Sequence, residues 1–442
     1  MSVGVRCRTG LRVAVICGGI ALSAQARAQE EIFGQLLDSE IPLESFTSAQ
    51  PGVRDRPRPE LQPPGMRIGD AAISLSLDST LGSTSNVLGA QNARTADGFA
   101  EWRTQLSAVV DLGPARAVDI ALDYDGKRFF QTPTKAQDGY LVRIAGHTGL
   151  GAEGMLSAGA VQQRIYEDQL AGTFPAGGGP AGVGGSVAID WTQGQIRLAD
   201  AFNRVRLTGA ATADRLIYHD TINAARELLP QAARDHTAFR ASSRIDYTLH
   251  ENTTLFAQLS WRLTDFTDKS PLADRSAHEF RASAGISADL TGLLRLSAGL
   301  GGYVRQYGNP MFGRVTGLAW NLRGTYYVTT LNTLSLQAKR EFVDANVLRS
   351  PGYQATTIRL QLDHEFLRNL LVSAAAGNER DQFALVMRRD RLRDYAVWAD
   401  YWIGPQIVLR PRLEWLDRRS SGADAGPNIP EFRTQLTLSL RK

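Results

Sequence analysis

The residues with the strongest chemistry in this sequence are arginines and carboxylates set two apart. Arg410 and Arg412, Asp123 and Asp125, and Asp363 and Glu365 keep this spacing, and Arg240 and Arg244 keep twice it. A step of two puts side chains on one face of a β-strand. Charges in such rows bind water, ions or polar solutes. Signatures of catalysis are weak beside them. Asp123-Tyr124-Asp125-Gly126 opens like a calcium loop but lacks the downstream ligands. His147, His219, His236, His250, His278 and His364 have no metal-ligand spacing. No G-x-S-x-G turn and no P-loop occurs. The sequence implies no enzyme, no catalytic residues, no metal and no cofactor.

The elements that carry the charges are long alternating strands. In TTLFAQLSWRLTDF (253–266), Leu255, Ala257, Leu259, Trp261 and Leu263 share one parity, and Thr254, Gln258, Ser260, Arg262 and Thr264 the other. Similar runs recur from about Asp70 to the last residue, among them Phe280 to Leu290, Ile358 to Phe366 and Phe432 to Leu440. Tight joints stand at Gly113-Pro114, around Gly151, near Asp200, and at Glu251-Asn252, Thr291-Gly292, Leu331-Asn332, Arg368-Asn369 and Gly404-Pro405. Longer polar connections lie between them, such as 81–97, 168–185, 219–235 and 420–429. One strand on each side of every joint gives about eighteen strands, with sixteen as the alternative.

A strand of ~14 residues at ~3.3 Å rise spans roughly 45 Å, and tilted at about 45° it matches the ~30 Å bilayer core. Strands cross lipid only in a closed barrel, where every backbone group is paired. The expected fold is therefore an all-β, transmembrane, antiparallel up-and-down barrel over residues 70–442. Its apolar parity faces lipid and its polar parity faces a wet lumen. On this reading Arg103, Asp119, Asp123, Asp125, Arg143, Arg206, Arg240, Arg244, Arg262, Arg281, Arg295, Arg305, Arg323, Arg359, Asp363, Glu365, Arg410, Arg412, Glu414 and Arg433 line the lumen. Asp246, Asp289, Glu341 and Asp400 join them. Arg103 should sit across from Asp123 or Asp125, and Arg240 should face Arg262 in a basic strip. The charges are read as a solvated lattice that stiffens the wall. Trp102, Trp261, Trp320 and Trp415 at the long-loop ends, with Tyr326, Phe366, Tyr401 and Trp402 at the short-turn ends, are the expected aromatic girdles. The Gly-rich third long connection, 168–185, is read as a surface loop, although the third loop of general porins folds inward.

The 442-residue chain is 43% hydrophobic with a formal charge of +4, and its mean hydropathy is −0.21. Residues 1–28 read as a secretory signal: Arg6, Arg8 and Arg12, an apolar run Val13–Ala24, then Ala26-Arg27-Ala28. Its loss would remove both cysteines, Cys7 and Cys17, and four arginines, leaving a formally neutral chain without disulfides. A nucleic-acid partner then has no global charge to support it. Residues 29–69 are Pro-rich and read as an extended periplasmic lead-in with a solvated basic patch and a short helix near Glu30–Asp38.

Across VRDRPRPELQPPGMRIGDAAISLSLDSTLGSTSNVLG (53–89) the chain resembles the Putative beta-barrel porin 2 family of outer-membrane proteins. The matching features are Arg56-Pro57-Arg58-Pro59-Glu60, Gly65-Met66-Arg67-Ile68-Gly69, a first strand over Ile73–Leu77, and Asn86-Val87. The chain ends Leu440-Arg441-Lys442 rather than on the aromatic residue usual in barrels read by the assembly machinery. The resemblance implies a Gram-negative outer-membrane location, outer-membrane lipid and the barrel-assembly machinery as partners, and porin-like architecture. The leading expectation is passive passage of small polar solutes, with both termini periplasmic. Because family members can accompany exopolysaccharide genes, an export conduit served by a periplasmic partner is the second expectation. A structural or adhesive barrel with a plugged lumen is the third.

Overall fold

A computed structural model describes residues 51–168, 183–345, 347 and 349–442. The signal sequence, the helix near Glu30–Asp38 and the middle of the third long loop lie outside the described residues.

Eighteen strands form the wall: β1 (Ala71–Thr84), β2 (Asp97–Gly113), β3 (Arg116–Phe129), β4 (Gln137–Leu150), β5 (Gly154–Tyr166), β6 (Ala188–Phe202), β7 (Val205–Tyr218), β8 (His236–His250), β9 (Thr253–Phe266), β10 (Ala277–Asp289), β11 (Leu294–Tyr307), β12 (Arg314–Thr329), β13 (Asn332–Asp344), β14 (Gly352–Leu367), β15 (Leu370–Phe383), β16 (Arg389–Trp402), β17 (Ile407–Ser421) and β18 (Ile429–Arg441). Each pairs antiparallel with its neighbours in sequence. β1 pairs with both β2 and β18, from Ser76↔Arg441 to Thr84↔Arg433, so the sheet closes on itself without an edge. The first residues of β1 lie beyond the end of β18. A short strand, Met66–Ile68, folds back at Gly69 (φ +60°) and pairs with Ala71–Ile73 there.

The eight tight joints all lie at one end of the barrel and the longer connections at the other. The joint expected near Asp200 falls three residues later, with Asn203 at φ 56°, a left-handed conformation that asparagine tolerates better than most residues.

Burial runs opposite to that of a soluble protein. Leu259 and Phe280 are 62% and 61% exposed on the outer parity, while Arg305 on the inner parity is 1% exposed. Such a surface is stable only against lipid. Leu259→Arg puts a charge on that face, and the expected cost is about 2–4 kcal/mol. A urea titration of folded protein in vesicles, read by heat-modifiable gel mobility, checks this. An unchanged midpoint would contradict the lipid-facing assignment.

Candidate functional site: the charged lumen

Pairing register places every charged residue named above on the inner parity. Arg103 is registered against Asp125 and bonds Asp123 at 2.7 Å; Arg143 reaches Asp119 at 3.1 Å. Arg359 pairs with Asp394, Arg410 with Asp400, Arg412 with Glu414, and Arg433 with Glu431. Asp123 and Asp125 stand on a regular strand, and Tyr124 points to the opposite face. Among the described residues no group of His, Cys, Asp or Glu is placed to hold a metal ion.

The expected Arg240↔Arg262 pair is present. Around it β8–β11 bring Arg244, Arg281, Arg295 and Arg305 onto the same wall. It is not an open basic strip. Arg244 bonds Asp246 at 2.6 Å and lies 4.2 Å over the Phe256 ring. Glu279 pairs with Arg281 and Arg305. Phe256, a large apolar residue on the polar parity of 253–266, thus serves a guanidinium rather than the lipid.

The β13–β14 hairpin covers this wall. The β12–β13 ladder stops at Trp320↔Arg340, while β11–β12 continues to Gln306↔Arg314 and β13–β14 to Asp344↔Gly352. Beyond that seam Phe342 packs 5.7 Å from the lumen-facing Tyr303, and the Tyr303 hydroxyl donates to Gln354 at 2.9 Å. Asp344 meets Arg305 at 2.7 Å and Arg262 at 3.6 Å. The tip of the hairpin therefore folds inward onto the inner face of β9–β11. The expectation of a solvated lattice is corrected here: with guanidinium groups this buried, compensation must come from Asp344 and Glu279. The solvated description fits the other side of the lumen, where the side chains of Arg103 and Arg143 are 29% and 45% exposed.

The lead-in is the second correction. Its described arginines are docked, not solvated. Arg54 donates to Asp363 and Asp400, both at 2.8 Å, and to Ser373 at 2.9 Å. Arg56 and Arg58 share Glu365 at 3.1 and 3.0 Å. Arg54 lies 5.3 Å from the Trp398 ring and Arg58 5.7 Å from the Trp402 ring. Val53 is fully buried, its N–H donating to Thr333 Oγ1 at 2.9 Å. These acceptors stand near the short-turn ends of β13–β16, so residues 51–60 occupy the lumen at that end. The segment turns over 52–56, where the Arg56 N–H donates to the Gly52 carbonyl, and enters a 3-10 helix at Pro59–Leu61. Its arginines, two apart, then meet Asp363 and Glu365, also two apart. Burial lowers the Arg54 pKa, but Asp400 and Asp363 outweigh it and hold the group above its ordinary value. At Arg58 burial prevails over Glu365, and the pKa falls.

Trp402 is the third correction. The outer-girdle expectation puts it on one face with Tyr401, but adjacent strand residues point to opposite faces. Register puts Tyr401 opposite Leu409 on the lipid side and Trp402 opposite Val408 on the inner side, beneath Arg58. The other seven girdle residues, Trp102, Trp261, Trp320, Tyr326, Phe366, Tyr401 and Trp415, fall on the outer parity.

At the long-loop end, the described N-terminal flank of the third connection is fastened. Glu167 pairs with Arg234 at 2.6 Å, and Asp168 reaches Arg433 on β18 at 3.3 Å. This N-terminal flank thus reaches the β7–β8 connection on one side and β18 on the other. Burial lowers the Arg234 pKa, but Glu167 outweighs it and raises the group.

Val53→Cys tests the docked segment. Its thiol should resist a membrane-impermeant maleimide. In the Asp363→Asn, Glu365→Gln, Asp400→Asn background, labelling should be at least about tenfold faster as the ion pairs vanish. Equal rates would contradict the docking.

Against known proteins, the profile of the Putative beta-barrel porin 2 family matches residues 58–442. No curated protein matches the chain. Similar solved structures include Pseudomonas aeruginosa OccK1 (OpdK), with 11% identity, 84% of this chain and 98% of that one covered, and a TM-score of 0.46. Acinetobacter baumannii OccAB3 gives 12%, 85%, 100% and 0.47, and the copper transporter OprC 8%, 86%, 81% and 0.49.

Proposed function

The chain belongs to the Putative beta-barrel porin 2 family and is an outer-membrane, porin-like β-barrel; from that premise we propose that it passes small polar solutes passively along one side of its lumen. One observation carries the reading. The inner wall of β2–β4 keeps Arg103, Asp119 and Arg143 open to water, while the opposite wall is covered by the β13–β14 hairpin and the segment 51–60. Sixteen to eighteen strands leave room for water beside such fillings. The open charges replace part of a solute's hydration shell without holding it firmly.

Barrels of this kind have short periplasmic turns and longer external loops. On that rule the end holding 51–60 and the C-terminus faces the periplasm. The chain acts as a channel, not as an enzyme. An export conduit needs a lead-in free to receive a periplasmic partner. The arginines that would serve such a contact are already paired with Asp363, Glu365 and Asp400, which favours the diffusion channel.

In planar bilayers the protein should give stepwise ohmic conductance, and Asp363→Asn, Glu365→Gln, Asp400→Asn should enlarge the step. Arg143→Glu should move ion selectivity toward cations, because it inverts a charge on the open wall. No conductance from either the parent or the triple variant would reject the proposal.

A further inference from the structure

The outer face of β14–β17 carries an unusual pair of features, one above the other. Near the long-loop ends, Arg380 on β15 is registered directly against Arg391 on β16, and Arg391 directly against Arg419 on β17. Arg389 and Arg393 flank the row on the same parity. Like charges directly across strands repel. Asp417, 2.9 Å from Arg419, is the one carboxylate on the outer parity of β14–β18 among the described residues. Arg391 is turned onto Asn378 Oδ1 at 2.8 Å, a neutral partner. One carboxylate against five arginines leaves the row with a net positive charge.

Four residues down each strand, about 13 Å along it, the surface becomes an apolar groove of about 440 Å³. Ala374 and Ala376 form its floor. Leu360 and Leu362 rise on one side, Tyr395 and Val397 on the other. The Tyr395 and Trp415 rings lie tilted against each other, centroids 5.4 Å apart, at the level where the apolar band gives way to arginine. This is the boundary at which amphipathic rings settle in lipid.

We propose that this face is a binding site for a phosphorylated, multiply acylated glycolipid of the outer leaflet. The phosphate would bridge Arg380, Arg391 and Arg419, and one acyl chain would lie in the groove over Ala374 and Ala376. Guanidinium forks suit phosphate oxygens bidentately, and a row of them relieves its own repulsion by sharing one anion. A free phosphate would leave the groove unused. Elsewhere on the outer face, Arg128 pairs with Asp138 and Arg164 with Asp190, each at 2.7 Å. The assignment to the outer leaflet rests on the orientation proposed above. The chemistry of the site does not.

The test is a native mass-spectrometric titration of the purified, delipidated barrel in detergent, where orientation plays no part. The probes are lipid A, dephosphorylated lipid A, phosphatidylglycerol and inorganic phosphate. Lipid A should bind best. The Arg380→Gln, Arg391→Gln, Arg419→Gln variant should lose at least about tenfold in lipid A binding. Ala376→Trp, which fills the groove and leaves the charges, should also weaken it. Arg128→Gln with Arg164→Gln should bind as the parent does. Heat-modifiable mobility confirms that each variant is folded. Undiminished binding by the triple variant would overturn the proposal. So would equal binding of phosphatidylglycerol, inorganic phosphate or dephosphorylated lipid A, or an equal loss in the Arg128, Arg164 control. Protease access to the loops of the protein in intact cells tests orientation separately.

Discussion

Lipid offers no partner to a backbone N–H or C=O, and the rest of this structure follows from that. Each unpaired group in hydrocarbon costs several kcal/mol, so a sheet in the membrane must close. Closure here depends on β1, which bonds β2 on one side and β18 on the other. Once the ring is closed, strand alternation decides everything about solvent. One parity meets acyl chains and the other meets the lumen. Arg262 is tolerated between Trp261 and Leu263 for that reason alone.

The inner wall then faces the opposite problem. It holds more charge than a dry interior could, yet much of that charge is buried. The molecule solves this unevenly. Over β8–β11 the arginines are covered by a protein element that brings its own carboxylate, Asp344. At the short-turn ends of β14–β16 the order is reversed: carboxylates belong to the wall, and the covering segment brings the arginines. Around Arg103 and Arg143 water does the work instead. A lumen filled on two sides and wet on the third is narrower and more polarised than the strand number alone implies.

Much of this was legible in the sequence, because it is local. Period-two alternation fixed the parity of Arg103, Arg240 and Arg262, and the Gly, Pro and Asn joints fixed the hairpins. The cross-strand Arg240↔Arg262 pair followed from one turn position. What could not be read was non-local. Arg54 and Asp400 are 346 residues apart, and only closure brings them together. Nothing in the local pattern tells that the β12–β13 ladder ends early and lets Asp344 turn inward. The misplacement of Trp402 had a signal that was available. Tyr401 and Trp402 are adjacent, so one of them had to face inward. Arg54, Arg56 and Arg58, spaced to match Asp363 and Glu365, were a similar hint.

The central claim is the partition of side chains between lipid and water, and β4, on the open wall, is the strand on which to measure it. The chain has no cysteine after Cys17, so single cysteines from Tyr140 to His147 can carry a nitroxide one at a time in liposomes. Collision with oxygen should peak at positions 140, 142, 144 and 146. Collision with a water-soluble nickel complex should peak at 141, 143, 145 and 147. Two profiles that rise and fall together, or positions all equally open to the nickel complex, would contradict the account.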